Sequence, residues 1–142
     1  MTKKSKKTKT VWVWAPRKSR VPKPSLPYQV EAASKTELNH WVETVLKPAY
    51  LTPLPEKLVT NHLIDFRIRC YRHYFYLQGL YQSPFPEPPS PFLVNLARIE
   101  YLMRGCFSLS YAGSSPRWFE ASRGISLQTC MTNIQEADWL FG

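Results

Sequence analysis

No acidic side chain occurs before Glu31. In that acid-free stretch stand nine cations, Lys3, Lys4, Lys6, Lys7, Lys9, Arg17, Lys18, Arg20 and Lys23, whereas the remaining chain balances ten Lys/Arg against ten Asp/Glu. The formal net charge of +9 therefore belongs to an arm, and the body behind it is charge-neutral. Cysteine is also scarce. Cys70, Cys106 and Cys130 are far apart and form no C-x-x-C pair, which excludes a zinc ribbon and a thioredoxin-type motif. They read as buried free thiols of a reducing cytoplasm rather than as a cross-link. Long apolar runs are missing too. Val11–Ala15 is too short for a secretory core, and nothing approaches the roughly 20 residues that span a bilayer. A soluble, cytoplasmic protein is expected. Glycine numbers five against thirteen prolines, and no glycine-rich phosphate loop, H-E-x-x-H or G-x-S-x-G exists.

What is present is organised in two parts. Residues 1–26 read as a basic, flexible arm with too little apolar surface to offset chain entropy. Within it Val11-Trp12-Val13-Trp14 alternates β-branched and aromatic residues and is expected to dock, on its own domain or on a partner. Residues 27–142 are one domain's length. Val30, Ala33, Leu38, Trp41, Val42, Val45 and Leu46 recur at helical spacing, and Lys47-Pro48 is predicted to end that helix. Ser34 and Glu37 have capping-box spacing, which offers a second start for the helix.

Beyond the Thr52–Lys57 linker the period changes to two. Ile64, Phe66, Ile68 and Cys70 alternate with Asp65, Arg67 and Arg69, which predicts a half-buried strand. A bend at 70–73 leads into a second strand, 74–81, and the Pro84–Pro91 run makes a stiff loop. A third strand to Met103, a turn at Arg104-Gly105, a fourth at 106–111 and a short fifth at 117–121 follow. Ser126 caps a last helix with Leu127, Cys130, Met131 and Ile134 inward, and Trp139–Phe141 is expected to pack back. The expected fold is α+β: an N-terminal helix, an antiparallel meander of four to five strands, and a C-terminal helix.

Several phrases, Lys9–Pro16, Thr44–Pro48, Tyr74–Tyr76, Ala97–Tyr101, Phe107–Tyr111, Trp118–Glu120 and Gly124–Leu127, resemble a family of small uncharacterised prokaryotic proteins. The resemblance covers most of the chain and implies that arm and domain are one natural unit. That family has no assigned activity, cofactor or catalytic residue, so the resemblance carries no function across.

Function is therefore read from the residues. A run of lysines near phosphate releases condensed counterions, which gives affinity without sequence choice and a steep salt dependence. Arg67, Arg69 and Arg72, interleaved with tyrosines, extend that footprint, and Trp12 and Trp14 either stack on bases or pin the arm. The leading expectation is a non-enzymatic nucleic-acid-associated protein, RNA favoured over DNA because rings accompany the charges and no basic recognition helix is visible. No cofactor, metal or membrane partner is expected. The element order resembles a double-stranded-RNA-binding domain, but Thr129–Asp138 holds no cation, and that assignment is not adopted.

The alternative is a protein-interaction adaptor using Val11–Trp14 and the Pro84–Pro91 loop; a small hydrolase or nuclease ranks third. Against an enzyme, His62 and Asp65 fall on opposite faces of a strand, and Cys70 with His73 has no supporting spacing. His40 reads as a surface residue. Glu100 reads as a buried acid pairing with an arginine such as Arg98 or Arg117.

Overall fold

A computed structural model describes residues 26–85, 91–113 and 117–141. Residues 1–25 of the basic arm, most of the proline loop, residues 114–116 and residue 142 lie outside the described residues.

The chain enters a helix, α1, at Tyr28 and leaves it at Trp41. Pro27 precedes α1 in extended conformation, and its carbonyl accepts from the Glu31 N–H at 2.9 Å. Ser34 is therefore not a cap. It is a buried mid-helix residue, small enough to sit against the sheet where Ala33, the expected core position, is exposed. Pro48 does not end the helix either. A π-helical turn, Val42–Leu46, widens the spiral, its last bond joining the Lys47 N–H to the Val42 carbonyl, and α2 (Lys47–Tyr50) continues past the proline. A residue with no N–H is carried through because the wide turn shifts the bonding pattern ahead of it. The Thr44 hydroxyl donates to the His40 carbonyl at 2.7 Å, giving a partner to an acceptor beside the irregular turn.

Five antiparallel strands follow in meander order: β1 (His62–Tyr71), β2 (Tyr74–Gln82), β3 (Phe92–Met103), β4 (Cys106–Ala112) and β5 (Trp118–Ile125). The fold is α+β, as expected, with the N-terminal helix, the meander and the C-terminal helix in that order. Where the reading in two-residue steps fails, a bulge intervenes. In β1, Leu63 faces Tyr81 and Asp65 faces Leu80, which leaves Ile64 as the extra residue. Leu63 enters the core in its place. In β5, shifts at Leu109/Ser110 and Phe107/Ser108 leave Ala121 and Gly124 unpaired, so the strand runs four residues beyond the predicted Ala121. The Arg104-Gly105 turn forms as predicted, with Gly105 at φ +72°, a left-handed conformation that glycine adopts without strain.

The C-terminal helix α3 (Leu127–Glu136) starts at Ser126, whose Oγ accepts from the Thr129 N–H at 3.1 Å. Its buried residues are the four predicted. A 3₁₀ turn at Asp138–Phe141 then brings Phe141 into the core, 4.3 Å from the Tyr50 ring and 5.4 Å from that of Phe66. Trp139 packs back edge-on to the Tyr111 ring while remaining 64% exposed.

One core holds these parts together. Leu38, Trp41, Val42 and Leu46 from the first helical segment and Leu127, Cys130 and Ile134 from α3 meet Phe66, Phe75, Leu77, Ile99 and Leu109 from the sheet. Truncating a side chain as buried as Leu38 or Ile134 costs about 2–5 kcal/mol. The helices are tied laterally as well. Trp41 Nε1 donates to Gln135 Oε1 at 2.9 Å, and the Tyr50 hydroxyl donates to the Gln135 carbonyl at 3.2 Å. The sheet residues in this core all come from one side of the alternation, so both helices cover the same face. The other face is left to its own side chains.

Candidate nucleic-acid interface

Strand pairing arranges the uncovered face in rows that run across the sheet. One row is Arg67, Gln78 and Asn95. The next is Arg69, Tyr76, Arg98, Ser110 and Glu120. The third is Tyr71, Tyr74, Glu100, Ser108 and Arg123. An antiparallel sheet with one solvated face ordinarily alternates apolar-in with simple polar-out. Here the outward positions carry guanidiniums, large rings and amides in contact with one another.

In the first row Arg67 Nε donates to Gln78 Oε1 at 2.8 Å, and Gln78 Nε2 donates to Asn95 Oδ1 at 2.8 Å. The chain of bonds fixes three side chains across three strands. In the second row Arg98 lies between two rings, its Cζ 4.7 Å from the centroid of Tyr74 and 4.7 Å from that of Trp118. Such contacts strengthen as they lose water. Trp118 reaches this position from β5, and its ring approaches Tyr76 of β2 at 5.9 Å. The side chains it crosses on β4 include Ser110, one of two serines small enough to let an indole lie over the sheet. Ser108 and Ser110 are 1% and 4% exposed although no helix covers them, because the long side chains of this face roof them over.

In the third row the Glu100 carboxylate is buried. Ser108 Oγ donates to its Oε1 at 3.4 Å, and His73 Nε2 stands 3.4 Å from its Oε2, close enough to pair by charge though not in hydrogen-bond geometry. A serine and a histidine thus stand beside the carboxylate. Acid, hydroxyl and imidazole meet, yet the glutamate stands between serine and histidine. A nucleophile activated by its base requires serine and histidine to touch, and a hydroxyl only 1% exposed offers a substrate no access.

Of the site residues expected from sequence, Lys3, Lys4, Lys6, Lys7, Lys9, Trp12, Trp14, Arg17, Lys18, Arg20 and Lys23 lie outside the described residues. Arg67 and Arg69 are exposed on the outward side of β1, as expected. Arg72 occupies the hairpin tip between β1 and β2 at φ 57°, the one non-glycine at positive φ among the described residues. Its guanidinium stands 5.3 Å from the Tyr71 ring, with that of Arg69 5.7 Å away. The tip is anchored to β3, where the Tyr101 N–H donates to the His73 carbonyl at 2.9 Å. Tyr74 and Tyr76 pack with aromatic neighbours: their rings are 5.9 Å apart, and His73 lies 4.4 Å from Tyr74.

Comparison with known proteins returns no matching family model, curated protein or solved structure. The site's own geometry therefore carries the functional reading. Among the described residues no helix is long and apolar enough to cross a membrane, and no three His, Cys, Asp or Glu side chains gather in a metal-binding group.

Sequence reading missed Arg98, Trp118 and Asn95 as parts of this site. Arg98 was within reach, because it stands between Ala97 and Ile99 and must point away from both. Trp118 carried no local signal; its place over the sheet depends on small side chains such as Ser110 on the neighbouring strand. Together Arg69, Tyr71, Tyr76, Asn95 and Trp118 line a cleft of about 290 Å³ on this face.

The thiols take no part. Cys130 is buried and Cys70 and Cys106 are half-buried, all three free. Burial pushes the Cys130 thiol up to about 12. Burial, with the thiol's hydrogen bond to the neighbouring Glu31 carboxylate, pushes Cys70 up to about 11. At neutral pH both are protonated and poor nucleophiles.

Proposed function

We propose that this protein associates with nucleic acid in the cytoplasm without catalysing a reaction on it, and that RNA is preferred over DNA. The arm supplies affinity for phosphate; Arg67, Arg69 and Arg72 extend the contact onto the domain. The observation that carries this reading is the sorting of charge. Nine cations precede the first acid, and three more stand together on β1 and its hairpin tip, exposed to solvent. RNA is favoured because exposed and half-buried rings accompany those guanidiniums, and unpaired bases stack on rings. The Ser108–Glu100–His73 order, with the acid in the middle, supports a structural rather than a hydrolytic role for that cluster.

The test is binding of a random-sequence RNA oligomer by the full chain at graded salt. Each phosphate neutralised on a single strand contributes about 0.7 to the slope of log K against log salt. Engagement of most of the arm predicts a slope of roughly −4 to −6. Removing residues 1–24 should abolish most of the binding and most of the slope. An intact chain that fails to bind in dilute buffer, or a truncated one that binds equally well, refutes the proposal.

A further inference from the structure

The arm's charge explains attraction to any polyanion, paired or unpaired. The uncovered sheet face adds something that charge alone does not: a cleft with rings in its walls and guanidiniums beside it. We propose that the cleft bounded by Arg69, Tyr71, Tyr76, Asn95 and Trp118 receives an unpaired base of an RNA strand, with Arg69 and Arg98 beside it to meet the flanking phosphate. This rests on the nucleic-acid reading above and deepens it from polyanion affinity to selection of single strands.

Four observations converge on that occupant. The first is shape: the cleft is about 290 Å³ and has three aromatic rings in its lining, Tyr71, Tyr76 and Trp118. Tyr71 is 48% exposed, so much of that ring is uncovered. The second is polarity: Asn95, exposed on β3, presents an amide whose Oδ1 is already engaged by Gln78, and its amide N–H groups remain to donate to a base edge. The third is charge. Arg67, Arg69 and Arg98 stand in these rows and Arg72 at the adjoining tip. The acids on the face are buried, as for Glu100, or paired, as for Glu120 with Arg123 at 2.8 Å. The fourth is an unspent donor. Arg98 Nε is buried and has no hydrogen-bond partner among the described residues, although its guanidinium is held between two rings. A buried donor of this kind ordinarily has a partner. A phosphate or base oxygen entering beside Trp118 supplies one.

An acidic peptide satisfies the guanidiniums but gives the three rings nothing flat to stack on. A duplex satisfies the guanidiniums as well, yet its bases are stacked on each other and unavailable to a cleft. The chemistry of the site thus favours an unpaired strand over both.

The experiment uses the full chain and three probes at one salt concentration: a labelled single-stranded RNA oligomer, the same strand annealed to its complement, and poly-glutamate. Wild type should bind the single strand more tightly than the duplex. Tyr71→Leu, which alters a half-exposed ring outside the core, should weaken single-strand binding about tenfold, the loss of one stacking partner. It should leave duplex and poly-glutamate binding and the salt slope unchanged. Asn95→Ala should lower single-strand affinity in the same selective way, and unchanged thermal unfolding confirms that both variants are folded. If both variants bind the single strand as wild type does, or if poly-glutamate loses the same factor in Tyr71→Leu, the cleft does not read bases and this inference falls. Arm-dependent binding then still stands. If the wild type binds none of the probes in dilute buffer, both readings fall together.

Discussion

Gly79 sits in the middle of β2 on the covered face, opposite Phe66 of β1 and Val94 of β3. A methyl group at this position would stand 3.0 Å from Leu63 Cδ1, 3.0 Å from Tyr81 Cε1 and 3.1 Å from Leu96 Cδ1. Three neighbours must each give a few tenths of an ångström at once. Leu63 and Leu96 are 7% and 5% exposed, so neither has solvent to move into. Overpacking of this kind costs about 1–3 kcal/mol. Against it, alanine restricts the unfolded chain and returns about 0.4–1 kcal/mol. Gly79→Ala should therefore destabilise the domain by about 1.3 kcal/mol, the middle of the overpacking range less the middle of the entropy returned. The fold supplies its own control. At Gly113 a methyl would overlap the Phe119 ring more severely, yet Phe119 is 60% exposed and swings clear. Gly113→Ala should cost less than Gly79→Ala although its initial clash is worse. Urea unfolding followed by tryptophan fluorescence and by circular dichroism measures both, with the slope of the transition checked for constancy. A Gly79→Ala variant as stable as wild type, or less damaging than Gly113→Ala, would refute the claim that confinement rather than contact distance sets the cost.

Other expectations are quicker to state. Ser126→Ala removes the acceptor for the Thr129 N–H and should cost about 1 kcal/mol in the same unfolding assay. Arg72→Gly should leave thermal stability unchanged or raised, since glycine accepts the positive φ, while reducing the magnitude of the salt slope of RNA binding by roughly 0.7. With Cys70 and Cys130 raised to about 11 and about 12, folding favours the neutral thiols. That contribution is whole below about pH 8.5, where unfolded thiols are still protonated, and is lost as pH climbs toward the folded values. The Lys47 ammonium, held up by the Glu43 carboxylate, acts in the same direction. The urea midpoint should fall between about pH 9 and 11, less steeply in Cys130→Ala; a midpoint that is flat over this range refutes the assignment. Ellman's reagent should react slowly with Cys70 and Cys130 in the native protein and rapidly with all three thiols after unfolding.

Much of the fold was legible because its signals are local. The alternation along Phe66–Cys70, the Arg104-Gly105 turn and the Ser126 cap each depend on residues within a few positions, and each formed as read. The failures mark distant causes. Pro48 is a reliable helix stop only if the preceding turn is regular, and the wide turn at Val42–Leu46 answers to packing of Trp41, Val42 and Leu46 on the sheet. Ile64 alternates correctly on paper, but the bulge that ejects it exists only once β2 is alongside. The site divides in the same way. Arg67 and Arg69 were placed by alternation alone, whereas the position of Trp118 over β3 and β4 requires two serines, an arginine and a tyrosine from three other strands.

That division bears on how the charge is used. The body from Glu31 onward is neutral in total, which suggests on paper a domain indifferent to polyanions. Folding sorts the total unevenly. Lys47 is engaged by Glu43 at 2.6 Å and by Asp65 at 3.1 Å, so its charge is spent on two carboxylates beside the first helical segment. Glu120 cancels Arg123 at the far edge of the sheet, and Glu100 is withdrawn beneath the rings. What remains at the β1 edge is Arg67, Arg69 and Arg72, exposed and within reach of the cleft. A neutral domain thus presents a cationic patch whose field is screened within about 8 Å at physiological salt. At that range the patch cannot draw a partner from afar, but it can hold one already delivered. Under the proposed function, delivery would belong to the arm, where nine cations precede the first acid. The two parts would then be complementary: the arm would make binding tight and salt-sensitive, and the face would decide which strands stay.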